Sequence, residues 1–278
     1  MKKTLRILLT FAAILILILL AIRMFDFYSD QAEWERLIQL QPERPALFSP
    51  AQIENLPEPA RRFLAFSIQP GTPLFKVAEI NMGGKFSLGS RENPAYQEME
   101  ARQILASPFG FVWSLNLPGA IPVSGSDSAG WTRFRVLGLI PVARMGGDAN
   151  HARSAYGRMV AESVFWTPAA VLPGPNIEWQ SLGKNSARVI IRKQKLAQAV
   201  DVHVDADGRP LEVVFQRWTN ANPEKKFKYQ PFGGKLSDFR EVQGFTVPFK
   251  VEAGNMYGTE DEFTFFKAEV QSIRFIQK

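Results

Sequence analysis

Residues 7–22 contain a single polar side chain, Thr10, and are bracketed by Lys2, Lys3 and Arg6 before and Arg23 directly after. A segment of that composition belongs in a bilayer or in a protein interior. As an α-helix it is about 24 Å long, somewhat short of a hydrocarbon core of roughly 30 Å. Snorkelling by Arg23 and interfacial seating of Phe25, Phe27 and Tyr28 would complete the crossing. The basic residues ahead of the segment place the N-terminus in the cytoplasm and the rest of the chain outside it. The expectation is a single pass through the inner (cytoplasmic) membrane, with the bilayer as partner. A cleaved signal peptide is the competing assignment. Its apolar core is usually shorter and precedes small residues, whereas Leu20-Ala21-Ile22-Arg23-Met24-Phe25 offers no such site.

The formal net charge of +6 comes mostly from this terminal segment. Without Lys2, Lys3, Arg6 and Arg23, 29 basic residues stand against 27 acidic ones. Nucleic-acid binding asks for a concentrated basic face, and beyond Met24 there are only short pairs such as Arg61-Arg62 and Lys225-Lys226. Nucleic acid is therefore not an expected partner. The chain has no cysteine, and His151 and His203 are its only histidines. Disulfides, thiolate nucleophiles and histidine-rich zinc sites fall away, so neither metal nor cofactor is expected. With 278 residues, 46% of them hydrophobic, the chain can bury a sizeable core without such staples.

Residues 30–40 have helical spacing, ended by Pro42 and Pro45, and a second helix is expected from Pro57 to about Ile68. From Phe75 onward, short apolar or alternating runs are separated by glycine, proline and aspartate, the pattern of an antiparallel sheet. The clearest hairpin covers residues 200–218. Val200, Val202 and Val204 alternate with polar residues, Asp207-Gly208 turns the chain, and Leu211, Val213 and Phe215 alternate on the return. Further strands are expected over 77–88, 96–105, 111–117, 131–139, 177–182, 188–192, 235–242, 249–256 and 262–275. One helix, over 149–165, interrupts them. The fold class is α+β: a large curved antiparallel sheet or open β-barrel with a central helix, preceded by the transmembrane helix. The segments are an anchor (1–23), a helical juxtamembrane stretch (24–70) and a β-rich periplasmic domain (71–278).

Asp205-Ala206-Asp207-Gly208 with Glu212 has the start of a calcium loop, but its flanks alternate as strands, so a plain hairpin turn is expected. No serine stands in a nucleophile-elbow context, and neither histidine has a partner in a recognisable arrangement. The polar pair of most interest is Arg158 and Glu162, four apart on one helix face. It is either a surface ion pair or, if the helix packs into the sheet's concavity, a buried lock or ligand contact. Phe109, Phe111, Trp113, Trp131 and Trp166 fall in the middle of the chain. Most aromatics there belong to the core, yet a curved sheet incompletely filled by one helix can leave an apolar cavity.

Five segments together resemble a bacterial family of uncharacterised proteins carrying a domain of unknown function. They are Leu56-Pro57-Glu58-Pro59-Ala60-Arg61-Arg62-Phe63-Leu64; Pro108-Phe109-Gly110-Phe111-Val112-Trp113; Arg158-Met159-Val160-Ala161-Glu162 with Pro168 and Leu172; Asp207-Gly208-Arg209-Pro210; and Gly244-Phe245-Thr246-Val247-Pro248. The resemblance covers about residues 56–275. It departs from the pattern after the last Val-Pro, where Phe249 or Lys250 stands in place of an expected tryptophan. The family implies no activity. The architecture is also similar to that of the periplasmic lipoprotein carriers, whose concave apolar face receives acyl chains; that likeness is an analogy.

The leading expectation is a binding module holding a lipid or other apolar ligand, lined by Phe109, Phe111, Trp113, Trp131 and Trp166, with Arg158 and Glu162 at its polar end. An envelope scaffold acting through protein contacts is the alternative, and a carboxylate-based hydrolase using Glu162 a third. The balance leans away from an enzyme.

Overall fold

The structure, a computed structural model, describes residues 2–278. It opens with α1 (Lys2–Ile38), one unbroken helix. The apolar segment and the helix expected over residues 30–40 are thus a single element, since no proline or glycine falls between them. None of its most apolar window is buried. Further along, α2 (Glu58–Ser67) carries Pro59 in its first turn, where a missing N–H is no loss, and buries Ala60, Phe63 and Leu64.

Six strands then follow in a meander: β1 (Ala78–Ser87), β2 (Tyr96–Ala106), β3 (Gly110–Leu117), β4 (Val123–Ser128), β5 (Trp131–Val136) and β6 (Ile140–Gly146). The helix α3 (Ala149–Trp166) comes next, capped by Asp148, whose side chain accepts from the N–H groups of Asn150 and His151. A second meander returns through β7 (Ile177–Gly183), β8 (Ser186–Lys193), β9 (Leu196–Val204), β10 (Pro210–Thr219), β11 (Lys228–Val242), β12 (Phe245–Asn255) and β13 (Phe263–Phe275).

Among the described residues, 13 strands form one open, curved antiparallel sheet in the order β6-β5-β4-β3-β2-β1-β13-β12-β11-β10-β9-β8-β7. The two meanders join at the centre, where β1 pairs with β13 from Ala78↔Phe275 to Phe86↔Phe266. α3 leads the chain from one edge strand to the other and packs inside the curve, against β9, β10 and β12 and also β2, β3 and β6. A sheet this wide must coil to bury one face, and a single helix supplies the filling.

The two faces are sorted residue by residue. On β2, Met99, Ala101 and Leu105 join the main core inside the curve, while Ile104 and Ala106 face outward into a second cluster with Leu37, Val77, Val112 and Ile276. That outer cluster is where the C-terminal half of α1 docks, with Trp34 Nε1 donating to Glu79 Oε1 at 2.9 Å. Working back along α1, Asp30 accepts from Ser126 on β4 at 2.9 Å, and the buried Asp26 accepts from Arg135 on β5 and Arg144 on β6 at 2.5 and 2.7 Å, with Arg133 at 3.2 Å. The helix therefore crosses the outside of the sheet from β2 to β6.

Two strands were not anticipated. Ser124-Gly125-Ser126-Asp127-Ser128 in β4 offers no apolar alternation, and it is held by backbone pairing to its neighbours. The strand expected over 131–139 ends at Val136. Leu137 and Gly138, at φ 53° and 66°, turn the chain into β6. The resembling motifs meet in space as well. A Cβ at Gly208 would lie 2.2 Å from the Arg62 carbonyl oxygen, so only glycine lets the β9–β10 turn approach α2.

Candidate functional site

Between α3 and the concave face lies a cavity of about 540 Å³. Its wall is aromatic and aliphatic. Trp113 forms the hub, with ring centroids of Phe86 at 6.0 Å, Phe266 at 6.3 Å and Phe134 at 6.5 Å. Phe86, Phe265, Phe232 and Phe215 continue the wall in successive contacts of 5.5, 5.9 and 5.3 Å. Phe265 and Phe266 are adjacent in sequence yet both line the cavity. The pairing of β12 with β13 shifts register there, passing from Ala253↔Phe266 to Gly254↔Thr264, and the bulge turns two consecutive side chains inward.

One end of the cavity is open. Leu88, at the end of β1, and Val142, on β6, line it while remaining 51% and 58% exposed. Leu117, Val123 and Val136 sit at the corresponding ends of β3, β4 and β5. The mouth is therefore the rim formed by the β1–β2, β3–β4 and β5–β6 connections. The last two are tied together by the Leu137 N–H, which donates to the Pro122 carbonyl at 2.9 Å. Ile121, Leu137 and Ile140 project from this rim with their apolar side chains exposed. It also touches α1: a Cβ at Gly138 would lie 3.3 Å from Arg23 Nη1.

The polar part of the wall is built around Arg158 of α3. Its Nε donates to Glu162 Oε1 at 2.6 Å and its Nη1 to Asp127 Oδ2 at 2.7 Å. Gln103 Nε2 donates to Glu162 Oε2 at 2.5 Å, and the Thr132 hydroxyl donates to Asp127 Oδ1 at 2.6 Å. Thr132 has no second proton, so its 3.1 Å contact with His151 Nε2 is one in which the histidine donates. The guanidinium of Arg158 also lies 5.1 Å from the ring centroid of Phe111 and 4.6 Å from that of Trp113. Burial works against its charge, but Glu162 and Asp127 outweigh burial and hold Arg158 above the usual arginine range. All four carboxylate oxygens already accept a hydrogen bond. The arrangement locks α3 to β2 and β4 and leaves neither acid positioned as a free base.

Of the residues singled out from the sequence, Arg158, Glu162, Trp113 and Trp166 line the cavity. Trp166 is fully buried and donates to the Pro248 carbonyl at 3.3 Å. Phe111 is buried in the core beneath Arg158 rather than on the cavity wall. Phe109 occupies the β2–β3 turn, half exposed, with Lys193 Nζ 4.9 Å from its ring centroid. Trp131 is on the outer face, where Arg133 stacks on it at 4.3 Å. The parity of β5 decides this, because Phe134 and Val136 point into the cavity and odd-numbered positions point toward α1.

Asp127, Gln103 and Arg217 were not identified from the sequence. Asp127 hides in an unrecognised strand. Arg217 was readable, since it continues the inward positions Val213 and Phe215 of β10. Among the described residues no group of three or more His, Asp or Glu side chains is placed to hold a metal ion.

The profile of a family of unknown function, DUF6544, matches residues 46–268. The chain belongs to that family. This agrees with the resemblance carried by the five sequence segments. No curated protein sequence matches the chain. Among solved structures, a LolA superfamily protein from Nitrosomonas europaea is similar over 78% of this chain and 91% of its own, with 8% identity and a TM-score of 0.43. A DUF1329 family protein from Desulfovibrio piger is similar over 72% of this chain and 86% of its own, with 9% identity and a TM-score of 0.38.

Proposed function

We propose that this DUF6544 member is a membrane-anchored envelope protein that holds one acyl chain or a comparable amphiphile in the cavity between α3 and the sheet. The observation that carries the reading is the cavity itself. A core this extensive normally packs without voids much larger than a water molecule, yet this one keeps about 540 Å³ open behind an aromatic wall. That volume lies in the range of small-ligand sites. At about 30 Å³ per water-sized group it holds on the order of 18 such groups, a single long chain. Transfer of each methylene out of water contributes roughly 0.8 kcal/mol, so an aliphatic tail supplies ample driving force.

The position of the mouth supports the same reading. With residues 7–22 of α1 in a bilayer, Arg23 marks the interface, and the rim carrying Ile121, Leu137 and Ile140 lies beside it. The cavity then opens toward the membrane that anchors the protein, and a ligand enters from the lipid phase without crossing water. Organic extraction and mass spectrometry of the full-length protein, purified in detergent, test the reading. A stoichiometric amphiphile, displaceable by a fluorescent fatty acid, is expected. Empty protein that also takes up no fluorescent fatty acid would sink the idea.

A further inference from the structure

Arg217 reaches into the cavity from β10, and among the described residues its guanidinium makes neither a hydrogen bond nor an ion pair. Its Nε is fully buried without an acceptor, and the group packs 4.9 Å from the ring centroid of Phe232. Asp127 and Glu162 are the carboxylates whose field it feels, but their four oxygens are already engaged by Arg158, Thr132 and Gln103. Burial, reinforced by the neighbouring Arg158, pushes Arg217 down to about 10, which leaves it charged at neutral pH. A desolvated cation with no partner is expensive for a fold to keep. The other orphaned polar atom on the cavity wall, Trp113 Nε1, is a donor too. The wall offers donors with nothing to receive them.

We infer that Arg217 is the headgroup site of the cavity, receiving the oxyanion of a single-chain amphiphile, a carboxylate or a phosphate, whose tail lies along the aromatic wall. This rests on the amphiphile-binding function proposed above and specifies its ligand. An ester carbonyl would satisfy the orphaned Nε–H of Arg217 and leave its charge uncompensated. An oxyanion satisfies both, and the planar guanidinium matches it with two parallel bonds. Free phosphate shares this chemistry with a headgroup, and the test separates them.

The full-length protein in uncharged detergent is titrated, by displacement of a fluorescent fatty acid, with palmitate, hexadecanol, a lysophosphatidic acid and inorganic phosphate, at a mildly alkaline pH that keeps the acids ionised. Palmitate or the lysophosphatidic acid is expected to bind at least about tenfold more tightly than the alcohol, the factor one charge-assisted hydrogen bond supplies. Arg217→Met should abolish that preference, with a retained cooperative thermal transition reporting that the variant is folded; Arg217→Lys should retain a weaker preference. Equal affinity for acid and alcohol in the wild type, or an undiminished preference in Arg217→Met, overturns the headgroup site and leaves the amphiphile-binding function standing. Failure of every amphiphile to bind overturns both. Displacement by inorganic phosphate as effective as that by the lipids assigns Arg217 to a free ion and also overturns the proposal.

Discussion

The guanidinium of Arg23 lies against Gly138, so that the first charged residue after the apolar part of α1 touches the turn at the cavity mouth. That turn is unusual for one facing water. Leu137 and Gly138 both have left-handed backbones, at φ 53° and 66°, a conformation that favours Asn-Gly over Leu-Gly. Leu137 is nonetheless kept there with its side chain exposed, as the proposed seating of the rim against lipid requires.

Replacing Leu137 and Ile140 together by Asn is expected to leave the melting temperature nearly unchanged, because Asn suits the positive φ at position 137 and the Ile140 side chain is exposed at the end of its strand. Uptake of a fluorescent fatty acid from vesicles should slow by about tenfold or more, given the roughly 1.5–3 kcal/mol that burying each such side chain contributes. Affinity in detergent should not change. Stopped-flow transfer measures the difference, and an unaltered rate would detach this rim from the membrane.

Asp26 and Asp30 lie one turn apart on α1 and should respond oppositely to neutralisation. Burial disfavours ionised Asp26, but the hydrogen bond from Arg144 and the charges of Arg133, Arg144 and Arg135 prevail and hold it below its ordinary value of 3.8. Its contribution is therefore complete above that ordinary value and is lost as pH falls through the lower folded-state value. At Asp30 burial prevails over the Ser126 hydrogen bond and pushes the carboxyl up, so its ionisation opposes folding as pH rises past the same ordinary value. Asp26→Asn should cost about 2–4 kcal/mol at neutral pH by stranding three arginines. Asp30→Asn should be neutral or stabilising. Urea unfolding of the detergent-solubilised protein reads both.

Arg158→Met should be among the most damaging single changes in the domain. It leaves Asp127 and Glu162 facing one another's field without the cation that joins them, at a cost of about 3 kcal/mol or more. Adding Asp127→Asn and Glu162→Gln to the same chain should restore much of the loss, because no unpaired charge then remains. A triple variant no more stable than the single one, by thermal melting, would show that the lock contributes through geometry rather than charge.

Ala161 faces the cavity from α3, between Arg158 and Glu162. Ala161→Leu should fill part of the void, leave the unliganded protein as stable as before, and shorten the longest acyl chain accepted. Affinities across fatty acids of increasing length, measured by displacement, should show the cut-off moving to shorter chains; an unmoved cut-off would place the tail elsewhere.

The legible parts of the sequence were those with a strong period. Val200, Val202 and Val204 against Asp201 and His203 announced β9, and the Arg158–Glu162 spacing placed both on one face of α3. The cavity wall was harder. Phe134 and Trp131 lie three apart on one strand and end on opposite faces, which is readable only once the strand's parity is known. Phe265 and Phe266 defied parity through a bulge that no local pattern announces. β4 was silent because its inward positions after Val123 are Gly125 and Asp127, the latter a residue whose place in the interior is justified only by Arg158 and Thr132.

By itself the sequence determined a long apolar N-terminal segment, a nearly neutral β-rich remainder, one interrupting helix and the absence of cysteine chemistry, since each of these follows from composition or from a period within a few residues. Tertiary structure alone decided that α1 is continuous with the helix docked on the outer face, that the apolar segment leaves the sheet beside the cavity mouth, and that Arg217 stands inside without an ion-pair partner among the described residues. Those outcomes depend on which distant strands become neighbours. Long-range pairing sets that arrangement, here the closure of β1 on β13 across nearly the whole domain, and it leaves no trace in the spacing of adjacent residues.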